Sequence, residues 1–248
     1  MGKLLNLFIL IFILLVSCQT KEKKSREGKE KQIEMKINAL SETEKREGWQ
    51  LLFNGESLEG WKTYNGNEIT GWKVVQGILH NSGKGSDHGG DIITKKEYED
   101  FELYLEWKLT SQSNSGIFYC VQEKVVDAIY KSGFEYQLTD DEGKAGSGLN
   151  DDQFTGAFYA MKAPENAKVK PLGEWNSSKI IVNGAHIEHW LNGEKVVEDE
   201  LWTNDWNTRK RQSKWKDESY YGIAKKGHIG LQDHGGLTMF RNIKIREL

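Results

Sequence analysis

Proline and cysteine are nearly missing from this chain, with two of each among 248 residues. Two cysteines cannot build the disulfide framework of a small secreted scaffold. A strong charge imbalance is missing as well. The formal net charge is −3 at pH 7, and there is no basic field of the kind nucleic acid requires, so a neutral partner is expected and nucleic acid is excluded. No apolar run can cross a bilayer as a helix: the longest, Leu4 to Val16, falls short of the roughly 20 residues a span needs. A Gly-rich phosphate loop and internal repeats are absent too.

What is plentiful points to one all-β domain. Glycine numbers 26, which suits many tight turns better than disorder. Hydrophobic residues make up 37% of the chain and tryptophans number 9, enough for a sizeable core. Trp and Tyr in such a fold are more often core than sugar platforms, so their number argues only slightly for a carbohydrate ligand. Ahead of the domain, Lys3 and the short apolar run have the shape of a secretory signal. Leu15-Val16-Ser17-Cys18 resembles a bacterial lipobox. The expectation is a signal peptide over residues 1–17, a lipidated Cys18, and a charged flexible tether over residues 18–40. The protein would then sit in the cell envelope, periplasmic or at the outer membrane, anchored by acyl chains. Cys120, inside the apolar GIFYCV, reads as a small buried hydrophobe.

Ser41 and Glu44 have capping-box spacing, for a short helix stopping at Gly48. Beyond it, short alternating runs are broken by glycine and asparagine to the end of the chain. Phe101 to Leu109 (FELYLEWKL) is the clearest strand, with Ile117 to Val121 expected to return beside it after the turn at 113–116. Gly133 to Asp141 (GFEYQLTDD) is a second strand and Gly156 to Met161 a third. Asn183-Gly184 and Asn192-Gly193 mark hairpins. Leu201 to Lys226 has no clean period but carries Trp202, Trp206 and Trp215, as a packed lid would. His228 to Asp233 and Met239 to Arg246 close the chain as strands around His234-Gly235-Gly236. The fold class is a single antiparallel β-sandwich over residues 41–248.

Alternation puts Phe134, Tyr136 and Leu138 on one face of their strand and Glu135, Gln137 and Thr139 on the other. The same phase puts Gln232 and His234 opposite Ile229 and Leu231. If both strands share a sheet, Glu135 and His234 face one hollow, where they could act as base and acid or hold a divalent metal. Glu135, Gln137 and Asp140 fall at i, i+2 and i+5, which loosely follows the acidic strand of laminarinase-like glycoside hydrolases. The middle residue is an amide and the last a shorter acid, so ordinary double displacement fits poorly. Glu106 is a further candidate, equally well explained by an ion pair with a lysine.

Taken in order, Gly48-Trp49, Leu52-Phe53-Asn54-Gly55, Gly60-Trp61, Trp72, FELYLEWKL, Asn114-Ser115-Gly116-Ile117, GFEYQLTDD, Gly173-Glu174-Trp175-Asn176, His189-Trp190-Leu191-Asn192-Gly193, GHIGLQDHGG and Phe240-Arg241-Asn242-Ile243 resemble the 3-keto-disaccharide hydrolase family. The resemblance covers about Ser41 to Leu248. It implies a concanavalin A-like jelly roll with a ligand cleft on its concave sheet. It also implies cleavage of a glycoside whose 3-hydroxyl an upstream sugar 3-oxidoreductase has turned into a ketone. The ketone acidifies the C2 proton, the glycosidic oxygen leaves by elimination, and water adds back. Carried over to this chain, Glu135 and His234 would be base, acid or metal ligands, and Asn114, Gln137, Asp140 and Gln232 would bind substrate. Tyr119-Cys120 stand where some relatives have an arginine. A non-catalytic carbohydrate-binding lipoprotein and an ordinary glycoside hydrolase remain the alternatives.

Overall fold

The computed structural model describes residues 36–66, 68–85 and 90–248. The expected signal, Cys18 and the tether up to residue 35 lie outside them. Residues 37–248 form one compact unit. It opens on α1 (Glu42–Arg46), where the Ser41 hydroxyl accepts from Glu44 N at 3.2 Å while Ser41 N donates to the Glu44 carboxylate at 2.7 Å. Two amides that no helical turn can satisfy are thereby paired.

Among the described residues thirteen strands follow. The first five are β1 (Gln50–Leu51), β2 (Trp61–Thr63), β3 (Lys73–Val75), β4 (Ile78–His80) and β5 (Ile92–Tyr98). Then come β6 (Phe101–Leu109), β7 (Asn114–Val121), β8 (Phe134–Thr139), β9 (Asn176–Asn183), β10 (His186–Leu191) and β11 (Glu194–Glu200). α2 (Asn204–Gln212) precedes β12 (Gly227–Leu231) and β13 (Thr238–Glu247). One antiparallel sheet has the order β11-β10-β9-β6-β13-β4-β3, with β1 also on β13; the other runs β2-β5-β12-β7-β8. The two pack face to face as a jelly-roll sandwich. Phe101, Leu103, Leu105, Trp107 and Leu109 from β6 share one buried cluster with Ile117, Tyr119, Phe134, Tyr136, Leu138, Ile229 and Leu231 from the other sheet. Truncating such a side chain to alanine typically costs about 2–5 kcal/mol.

Three strand expectations are corrected. β7 does not return beside β6: β6 pairs with β9 and β13, and β7 with β8 and β12. The reason lies in β7 itself, which is buried on both faces, because Phe118 and Val121 pack away from the main core onto Ile93 and Ile129. Residues 110–113 therefore carry the chain from one sheet to the other. Gly156 to Met161 is no strand either. Gly156 and Ala160 take φ of +91° and +55°, which breaks the extended run. What remains is a cover on the free edge of β8, where Gly156 N donates to Gln137 O (2.9 Å) and Tyr159 N to Glu135 O (3.1 Å). The hairpin at Asn183-Gly184 turns one residue later, on Gly184-Ala185, since Asn183 pairs with His186.

His189 belongs to the core. Its Nδ1 lies 3.1 Å from the Gly156 carbonyl, which can only accept, so Nε2 is left to accept from the Tyr119 hydroxyl at 3.0 Å. Burial pushes its pKa down to about 4, so the ring is neutral. The segment 201–226 packs through Trp206 and Trp215, 2% and 1% exposed.

Candidate active site

Glu135 and Gln137 leave β8 on the face turned away from the sandwich core. Gln232 and His234 follow the end of β12, which lies two strand spacings from β8, about 10 Å. Between them runs β7, and there it contributes a glycine. A Cβ on Gly116 would lie 2.4 Å from Glu135 Oε1, so only glycine leaves the carboxyl its place. Gln232 N donates to Gly116 O at 3.0 Å, which ties the end of β12 to this floor. The result is a hollow of about 390 Å³ lined by Asn114, Tyr130, Glu135, Gln137, Tyr159, Lys214, Gln232 and His234.

Glu135 is 5% exposed, Gln137 2% and Gln232 7%. With its amide nitrogen turned toward acceptors, Gln137 donates to Glu135 Oε1 at 3.0 Å and to the Ser115 carbonyl at 3.3 Å. Gln232 Oε1 is buried with no partner among the described residues, an acceptor left for a ligand hydroxyl. His234 stands exposed at the rim. Its neighbour Asp233 is fully buried and accepts from Asn81 Nδ2 (3.1 Å), Ser82 N (3.1 Å), Ser82 Oγ (2.5 Å) and Gly85 N (3.2 Å). That clamp fixes the backbone from which the imidazole projects.

The electrostatics divide the two titratable candidates. Burial pushes the Glu135 carboxyl up to about 8; Lys214 pulls the other way and Asp91 adds to the rise. Asp91, whose Oδ1 accepts from Asp233 N at 3.1 Å, is itself raised to about 7 by burial. His234 is shifted down, first by loss of water and then by the positive charge of Lys214, with Asp233 opposing.

Two candidates fall elsewhere. Asp140 is 3% exposed, but its carboxylate accepts from Gln112 N at 2.8 Å and Gly143 N at 3.0 Å, holding two turns together outside the hollow. A carboxylate just past a strand end serves backbone amides as readily as a substrate. Glu106 is on the outer face of the other sheet, bonded by Arg241 Nε at 2.6 Å, an arginine and not a lysine. Tyr119 and Cys120 both lie in the core, and burial pushes the thiol up to about 12. Sequence reasoning missed Tyr130, Tyr159, Lys214 and Asp91. Lys214 follows a basic helix end, and no period separates it from Arg209, Lys210 or Arg211.

Toward a divalent metal the hollow presents Glu135, His234 and amide oxygens, the unpartnered Gln232 Oε1 among them. Among the described residues no third His, Cys, Asp or Glu joins Glu135 and His234 at ligating distance. The one such trio, His186, Glu188 and Glu198, is on β10 and β11, where Lys195 Nζ already lies 3.2 Å and 2.6 Å from the two carboxylates.

This architecture has relatives. The sequence profile of the 3-keto-alpha-glucoside-1,2-lyase-like domain matches residues 48–246. A 3-keto-disaccharide hydrolase of Bacteroides thetaiotaomicron is 32% identical over 231 residues, spanning 82% of this chain and 79% of that protein. A crystal structure from Parabacteroides distasonis, provisionally named a glycosyl hydrolase, is 42% identical with a TM-score of 0.80, covering 86% of this chain and 100% of that one. A second from the same organism, named alike, is 32% identical with a TM-score of 0.63, covering 81% and 99%.

Proposed function

Because the chain belongs to the 3-keto-alpha-glucoside-1,2-lyase-like family, we propose that it cleaves the glycosidic bond of 3-keto-glycosides, disaccharides among them, by elimination and hydration. One observation carries the choice of route: among the described residues lining the hollow, Glu135 is the one carboxylic acid, and a histidine lines it too. An ordinary glycosidase needs a second carboxyl group across the scissile bond, roughly 5 Å away when retaining and 6.5–9.5 Å when inverting. Elimination next to a ketone needs one base and one acid.

The opposite pKa shifts favour one division of those roles. At neutral pH a carboxyl raised to about 8 keeps its proton, and an imidazole shifted down has lost its own. His234 is then the base that removes the C2 proton, and Glu135 the acid that protonates the departing glycosidic oxygen. Gln137 holds the Glu135 carboxyl through its amide. Asn114 and the unpartnered Gln232 carbonyl take sugar hydroxyls. The substrate is made by a sugar 3-oxidoreductase acting upstream, and lipidation of Cys18 keeps the enzyme in the cell envelope where such glycosides arrive.

The test offers purified protein one glycoside in native and 3-oxidised form, in D2O, and follows deuterium at C2 beside aglycone release. Wild type is expected to release only from the oxidised form. Glu135→Gln should keep C2 exchange and lose release, and His234→Ala should lose both. Release from the native glycoside would sink the proposal, and the reverse pattern in the variants would exchange the two roles.

A further inference from the structure

Lys214 is the one cationic side chain lining the hollow among the described residues, apart from the rim histidine. It forms no ion pair within 4 Å there; aromatic faces hold it instead. Its Nζ lies 4.3 Å from the Tyr159 ring centre, 4.4 Å from that of Trp215 and 5.9 Å from that of Tyr130. Ring quadrupoles attract a cation without neutralising it, so the charge stays available.

The cage is rigid and referenced to Glu135. Trp215 is stacked on Tyr221, with ring centres 4.5 Å apart and planes 8° from parallel, and its indole nitrogen donates to the Tyr159 carbonyl at 3.2 Å. Tyr159 N in turn donates to the Glu135 carbonyl at 3.1 Å. Two hydrogen bonds therefore tie the segment carrying the ammonium to the strand carrying the acid. Burial lowers the Lys214 pKa while Glu135 and Asp152 oppose it, the pattern of a cation short of counter-charge.

Elimination supplies that counter-charge. When the base takes the C2 proton, the C–H pair becomes a C2–C3 double bond and the ketone pair moves onto O3. The O3 anion then re-forms the ketone, the double bond shifts to C1–C2, and the C1–O bond breaks with its pair on the aglycone oxygen, which takes a proton from the acid. Water adds its hydroxyl to C1 and a proton to C2, giving the free 3-keto sugar. We propose that Lys214 is a catalytic residue of this sequence, its ammonium holding the O3 anion; this rests on the elimination reading above. A preorganised donor at a developing oxyanion is worth about 10²–10³-fold in kcat. A side chain delivered by the 201–226 insertion thus completes a site that the sheet alone leaves without a charge for the enolate.

Lys214→Met keeps the stem that packs on the rings and removes the charge; Lys214→Arg keeps the charge. On a 3-keto-glycoside, Lys214→Met is expected to lose about 10²–10³-fold in kcat with KM changed less than about threefold, and C2 exchange should fall in step. Lys214→Arg should recover much of the loss, and Lys216→Met, an exposed lysine outside the hollow, should match wild type. Thermal melting of each variant checks folding, and the exposed position of Lys214 predicts little change. The proposal is overturned if Lys214→Met keeps kcat within about twofold of an active wild type, if the loss appears in KM alone, or if borohydride traps the sugar covalently on Lys214. A wild type inactive on every 3-keto-glycoside would instead remove the elimination reading itself, and this inference with it.

Discussion

The outward faces of the two sheets treat polar residues in opposite ways. On the larger sheet, charges meet partners across strands: Glu106 with Arg241, Glu102 with Arg246, and Glu188 with Lys195, Glu188 also accepting from the Trp190 indole of its own strand. Those groups keep some contact with water, and each carboxylate there has a cationic partner, although Arg246 Nε is left unbonded among the described residues. On the smaller sheet, Glu135, Gln137 and Gln232 are nearly sealed, no cation lies within 4 Å of the Glu135 carboxyl among the described residues, and Gln232 Oε1 has no partner. A satisfied polar face is what folding alone would select. Burying polar groups without complete pairing costs stability, and such a cost persists where the unpaired groups do something else.

The sharpest way to break this contrast is to neutralise one acid on each face. Glu135→Gln is expected to lower turnover of a 3-keto-glycoside by about 10²–10⁴-fold, as for loss of a general acid, while Glu106→Gln leaves it unchanged. Initial rates under saturating substrate decide it. Equal losses would erase the distinction between the faces.

Next in size is a stability effect of unusual sign. Burial raises the Glu135 pKa from 4.5 to about 8. Between those values the unfolded chain is ionised while the folded one keeps its proton. Stability therefore falls as pH rises from about 4.5, and the loss is complete above about 8, on the order of a few kcal/mol. Glu135→Gln removes the linkage, so its melting temperature should match wild type near pH 4.5 and exceed it progressively up to pH 9. In activity the same pair predicts a plateau. Rate climbs as His234 deprotonates below its ordinary 6.5 and falls as Glu135 ionises near 8. A profile still rising at pH 9 would remove Glu135 as a group that must keep its proton.

What could be read beforehand follows from the same contrast. β6 was legible because one face is wet, so its alternation is strict, and β8 because its polar phase survives between aromatic residues. That phase, with the matching one after Leu231, was enough to bring Glu135, Gln137, Gln232 and His234 to one hollow, which Asn114, implied by the family resemblance, also lines. β7 defeated the method because both its faces are buried; with no wet side there is no period to say which sheet it joins. Gly156 to Met161 read as a strand because its residues are apolar, and the positive φ of Ala160 leaves no trace in composition. Asp140 was misplaced because an acid after a strand looks the same whether it meets a sugar or two backbone amides. Lys214 was invisible for a different reason. Its cage is assembled from Tyr130, Tyr159 and Trp215, and only the fold makes them neighbours.

A smaller test works through the floor of the hollow. Gly116→Ala would put a methyl group 2.4 Å from Glu135 Oε1 and 2.9 Å from Phe118 Cε2, so carboxyl and ring must both shift. Overpacking of this kind costs about 1–3 kcal/mol, and moving the acid by about 1 Å costs about 10²-fold in rate. The same change at Gly173, where an added Cβ meets nothing within 4 Å, should leave the rate alone, although φ of +84° there carries a conformational cost. Kinetics and melting on both variants separate loss of position from loss of fold.

The smallest expected effect concerns Asp140. Asp140→Asn keeps an oxygen for one of the two amides it serves and loses the charge. Stability should fall by about 1 kcal/mol, with kcat and KM unchanged. If kcat fell instead with melting unaltered, Asp140 would act on the substrate despite its place outside the hollow. The catalytic groups would then extend beyond the face of the smaller sheet, and the division between a satisfied surface and an unsatisfied one would no longer mark where the chemistry is done.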